Sequence, residues 1–300
     1  MAAFESLDYT IVENEIHRLR QQKAGSRGVI QERFARWLVY FIIGLFTGIV
    51  AFVISLCVEA LSELRYEKMQ ELVSEQKYVE AYLLFVGLGV AFVAVATACV
   101  YFAPAAAGSG IPELKAYLNG SNQPDSLSLK TMMAKTTGVV FAVSGGLCVG
   151  KEGPLVHTGA ILAALFSHLP KVPALFGEKS ILSRILKHFR EDHFKRNFVS
   201  GGAACGVAAA FGAPVGGVLF ALEEASSFWS LQLTWTVFFC AMVSTFTYNF
   251  LITSHRGNVL EVNDPGLISF GSVAHNPYRL FELPVFAVIA AIGGVLGATL

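Results

Sequence analysis

Charge is what this chain has least of. Asp, Glu, Lys and Arg make up 15% of its 300 residues, where a soluble domain carries about a quarter. The charge present cancels, 22 basic residues against 22 acidic, which removes the electrostatic footing for nucleic-acid binding. The five cysteines (Cys57, Cys99, Cys148, Cys205, Cys240) are odd in number, lack CxxC spacing and sit in apolar stretches. They read as buried thiols. Seven histidines are scattered without metal-ligand spacing, and no nucleophile motif such as G-x-S-x-G occurs. No catalytic residue, metal or cofactor is therefore expected, and the chain does not read as an enzyme. The first thirty-odd residues are polar and charged, unlike a cleaved signal peptide.

Apolar sequence is abundant: 54% of residues are hydrophobic and mean hydropathy is +0.56, a membrane composition. A bilayer core takes about 20 apolar residues as a helix. Trp37–Leu61, interrupted only by Glu59, Tyr82–Ala107 and Trp229–Ile252 meet that length, and Phe286–Leu300 begins a fourth span. Between them lie runs too short or too glycine-rich to be ordinary spans: Thr136–Gly150, Leu155–Leu169, Phe198–Phe211 and Ala213–Leu222. Such Gly/Pro-interrupted segments are the signature of discontinuous helices in transporters. Basic residues precede the first span (Arg18, Arg20, Lys23, Arg27, Arg33, Arg36) and crowd the stretch Lys171–Arg196. Both predict a cytosolic side, with the glutamate-rich Arg65–Lys77 connection opposite. Asn119-Gly120-Ser121 forms a glycosylation sequon on that cytosolic side, where it would go unused. The last residues, GGVLGATL, fall inside an apolar run without a polar tail, so the chain is expected to be truncated.

Three stretches carry chemistry. In GSGIP, Gly108 and Gly110 free the backbone, Ser109 supplies a hydroxyl, and Ile111-Pro112 opens a helix. A helix start of this kind aims unpaired N–H groups and a positive dipole end at an anion; the alternative is a plain interhelical turn. In GKEGP, Gly150, Gly153 and Pro154 make a second break, with Lys151 and Glu152 inside it. A carboxylate centred in a membrane costs about 2.5–3.5 kcal/mol on insertion scales and is functional by default. Glu152 can occupy an anion's place when ionised and leave it when protonated, acting as gate and proton carrier; the alternative is a structural salt bridge with Lys151. Gly145-x-x-x-x-Gly150-Lys151 also imitates a phosphate-binding loop, but Glu152 replaces the magnesium-binding Ser/Thr and no strand precedes it. A nucleotide-binding ATPase is the remote reading. In GAPVGGVLFALEE, an apolar helix ends in Glu223-Glu224, where a carboxylate at the cytosolic edge can pass protons inward. Lys135 either raises the positive potential for an anion or only snorkels.

GSGIP, GKEGP and GAPVGGVLFALEE, in that order, resemble the CLC family of chloride channels and anion/proton exchangers. The resemblance runs from ESLDY near the N-terminus to the last residue and is nearest the intracellular branch of lysosomal, endosomal and plant members. It implies an all-α membrane protein of inverted repeats with broken, re-entrant helices. Residues 1–36 would be a cytosolic segment, 37–252 the first repeat, 253–280 a linker and 281–300 the start of the second repeat. A third filter segment, a pore tyrosine and CBS domains would lie beyond Leu300. By match, Gly108, Ser109, Gly110, Ile111 and Pro112 form the anion filter with Gly150, Lys151, Glu152, Gly153 and Pro154. Glu152 is the external gate, Glu224 the internal proton glutamate, and Lys135 stands where the family often has a lysine near the pathway. The implied function is exchange of two chloride ions for one proton across an endosomal, lysosomal or vacuolar membrane, by a homodimer with a cytosolic N-terminus. Whether an accessory subunit is needed stays open. Glu224 favours an exchanger over a passive voltage-gated channel, and Ser109, in place of proline, favours chloride over nitrate.

Overall fold

The computed structural model describes residues 15–121, 123, 125–167, 189, 191–255, 280 and 282–299, with 15–29 as backbone only. Most of the basic stretch 171–196 and of the linker 253–280 lies outside these residues. Everything described is helical apart from turns and an isolated bridge at Ser121. Two compact units result, Met1–Ser269 and Phe270–Leu300; the second contains one described helix, α9 (Glu282–Thr299).

The first unit opens with α1, a helix of 60 residues from Glu15 to Ser74. The expected connection at Arg65–Lys77 shrinks to residues 75–77. Ser62–Ser74 contains neither Gly nor Pro and is rich in Glu, Leu, Lys and Met, so nothing ends the helix there. A pair between Lys68 and Glu71 at 2.9 Å supports that last stretch. Conversely, α2 (Tyr78–Phe102) stops five residues before the expected Ala107. Pro104 disfavours a helical Ala103 and cannot donate a hydrogen bond, so Pro104–Ala106 tightens into a 3-10 turn.

Short helices follow: α3 (Ile111–Leu118), α4 (Leu129–Ser144), α5 (Glu152–Ser167), α6 (Asp192–Phe211) and α7 (Pro214–Leu219). A wider π turn, Phe220–Ala225, continues α7 before α8 (Leu231–His255). Lys195 and Arg196, at the end of the basic stretch, lie in the first turns of α6, where Arg196 is buried. Ile30–Ser74, α2, α8 and α9 are long and apolar enough to cross a membrane.

The centre of this unit is the α5–α6 pair, in which Leu155–Ala164 and Phe198–Ala209 are buried without exception. Helices apolar all round belong inside, and these two approach backbone to backbone. A Cβ on Gly159 would overlap the Gly202 carbonyl, and one on Gly206 the Leu155 carbonyl. The same device sets α1 on α8: a Cβ on Gly44 would come 2.6 Å from the Cys240 oxygen, and one on Gly48 2.7 Å from that of Ser244. Small residues four apart let membrane helices pack without a hydrophobic drive.

The long α1 also serves as a depth scale. Arg36 and Arg65 are 29 residues apart, which is about 44 Å of helix, and a bilayer with its headgroups is about 40–45 Å thick. Arg36 stacks on Phe194 at the start of α6. Arg65 stacks on Phe85 and donates to the Ser144 carbonyl, closing the end of α4 at 3.2 Å.

Candidate functional site

Two helix starts meet between those levels. Gly110 caps α3 with φ 82°, a left-handed conformation that glycine adopts without strain. Ser109, exposed, accepts a hydrogen bond from the Ile111 N–H at 3.3 Å, and Pro112 sits in the first turn. Gly108, also left-handed, has nothing within 4 Å of where a Cβ would stand. Across from it, α5 begins at Glu152, with Gly153 and Pro154 in its first turn. A Cβ on Gly153 would come 2.9 Å from Ser109 Cβ. GSGIP and GKEGP, separated by about forty residues of chain, are thus in contact.

Glu152 folds back over the break. Its Oε2 lies where a Cβ on Gly150 would stand, so only glycine leaves the carboxylate that position. The expected alternative, a salt bridge to Lys151, does not form. Lys151 Nζ donates to Ser55 Oγ of α1 at 2.9 Å, and that hydroxyl lies 3.2 Å from the Tyr248 hydroxyl of α8. The two neighbouring charges leave the chain in different directions. The phosphate-loop reading fails as well, since helix α4, not a strand, precedes the glycines.

Lys135 does not snorkel. It is 3% exposed, and its Nζ lies 2.7 Å from His157 Nδ1. His157, 0% exposed, places Nε2 3.3 Å from Ser126 Oγ, itself buried. His157 and Ser126 escaped the sequence reading. The available signal was an ionisable ring inside an otherwise apolar helix, five residues after Glu152.

Glu224 stands at the Arg36 end of the depth scale. Arg33, Arg36, Arg196, Ser227 and Phe228 line one cavity there, of about 810 Å³. Glu224 is exposed and accepts from Lys115 Nζ at 2.5 Å. That ammonium, by hydrogen bond and charge, holds the carboxyl below the usual glutamate range. Lys115, three residues beyond the GSGIP stretch, was not read as a partner. Glu223 is exposed beside it.

The geometry agrees with comparison to known proteins. The family described as voltage gated chloride channel matches residues 89–300. The chain belongs to that family. Human H(+)/Cl(-) exchange transporter 7 is 43% identical over 307 residues, covering 98% of this chain and 37% of the relative. Chloride channel protein CLC-c of Arabidopsis thaliana is 40% identical, covering 98% and 38%. The chain therefore spans little more than a third of these relatives. A crystal structure of a eukaryotic CLC transporter superposes with a TM-score of 0.63 at 26% identity, over 90% of this chain and 43% of that one. The fold is that of CLC transporters, and the expected all-α architecture with broken helices is observed.

Proposed function

We propose that the full-length protein is a proton-coupled chloride exchanger of an intracellular membrane, endosomal, lysosomal or vacuolar, working as a homodimer with its N-terminus in the cytosol. The contact between Ser109 and Gly153 carries this reading. It joins a hydroxyl, two helix starts with unpaired N–H groups and the Glu152 carboxylate in one place. Chloride is held there by the Ser109 hydroxyl and by the helix ends. Ionised Glu152 competes with it for the same positive potential, and protonated Glu152 yields. Glu224, exposed at the Arg36 end, takes the proton to or from the cytosol. The naming of the human relative as an H(+)/Cl(-) exchanger supports the coupling. Two anions against one proton move three charges per cycle, about 7 kcal/mol at 100 mV, so transport follows voltage steeply.

Proton flux into liposomes under a chloride gradient tests this. Glu152→Ala is expected to keep anion flux while losing proton coupling and voltage dependence. Glu224→Ala is expected to stop protons while chloride still passes. Proton pumping by Glu224→Ala at the wild-type ratio would replace the exchanger with a passive chloride channel.

A further inference from the structure

We propose that His157 is a positioning residue that sets the anion affinity of the Ser109–Gly110 turn, by holding the Lys135 ammonium behind it and bracing its left-handed glycine. The inference rests on the reading of that turn as the anion site.

An ammonium can only donate, so Nδ1 of His157 is the acceptor and the ring proton resides on Nε2, which donates to Ser126 Oγ. The chain of bonds therefore fixes one tautomer of a neutral ring. A charged ring would set two cations 2.7 Å apart in a buried place, which burial makes prohibitive. The positive charge of the cluster consequently belongs to Lys135 alone. No carboxylate forms an ion pair with it among the described residues; Glu113, in the first turn of α3, attracts it only through space. Glu113 offsets part of the Lys135 charge without forming an ion pair with it.

The ring also touches the turn. A Cβ on Gly110 would overlap His157 Nδ1 and Cγ, so the imidazole lies directly against the backbone that presents Ser109. One side chain thus couples three things: the position of the cation, the conformation of Gly110, and the first turns of the helix that starts with Glu152. None of this requires His157 to meet the ion.

Chloride titration of transport in the full-length protein, with chloride binding measured calorimetrically in detergent, separates positioning from mere support. His157→Leu removes the acceptor for Lys135, and the half-saturating chloride concentration should rise roughly tenfold, the scale of one buried charge-assisted hydrogen bond. The maximal rate per folded protein should change little. Lys135→Met should do the same, and the double variant should be no worse than the weaker-binding single. His157→Gln offers an oxygen to Lys135 and an N–H to Ser126, so it should restore near-normal affinity. Should His157→Leu not fold, Ser126→Ala carries the test: it frees the ring and should raise half-saturation by about threefold, less than a direct loss of the acceptor. Wild-type half-saturation in His157→Leu or Ser126→Ala, or no rescue by Gln, overturns the inference. Absence of chloride transport and binding in the wild type would instead overturn the functional reading beneath it.

Discussion

Lys115 and Glu224 meet with both side chains open to water, so their attraction adds little to stability. Its consequence is for protonation. The ammonium favours the ionised carboxyl, and removing it lets Glu224 bind a proton at higher pH. In Lys115→Met, the pH profile of proton flux from the cytosolic side should move toward alkaline pH, with chloride affinity unchanged. An unmoved profile, measured across a cytosolic pH series, would detach the pair from the proton path. Ser109 and Glu152 stood out in the sequence because each is chemically out of place among its neighbours, whereas Glu224 was separated from Glu223 only by the family resemblance. The pairings around the site could not be read: Lys115 is 109 residues from Glu224, Lys135 is 22 from His157, and Ser126 is 31 from His157. No local pattern reports contacts of that separation.

Among elements, α5 and α6 depend on glycine where they cross. A Cβ on Gly202 would overlap the Gly159 carbonyl and stand 2.7 Å from Ala163 Cβ. Gly202→Val must push the helices apart, an overpacking of about 1–3 kcal/mol, and should lower the melting midpoint in detergent by several degrees. Gly87→Ala in α2 meets nothing within 4 Å and should leave the midpoint equal or slightly higher, alanine being the better helix former. Equal effects of the two would refute the close crossing. The breaks between elements were legible because Gly and Pro punctuate them. Helix ends were less so. The end of α1 at Ser74 followed from helix propensity overriding the charge that suggested a connection, and the end of α2 from a proline two residues on. The π turn Phe220–Ala225 has no sequence marker, since its residues suit an α-helix equally well.

For the molecule as a whole, the proposed topology puts Arg36 and Arg65 at opposite faces of the membrane, and thiol labelling can check it. In a Cys148→Ser background, which removes an exposed native thiol, Lys68→Cys should react with an impermeant maleimide only from the side away from the cytosol. Glu223→Cys should react only from the cytosol; labelling of both from one side would collapse the scale. Between those faces, the tether from Lys151 to Ser55 and Tyr248 has a further implication. It ties the residue immediately before Glu152, through its side chain, to two helices long enough to cross a membrane. In the proposed cycle, Glu152 would then act by turning about its own side-chain bonds, as a latch rather than a door. Rotamer changes of exposed side chains take picoseconds to nanoseconds, so a swing of this kind would be a fast step of the proposed cycle.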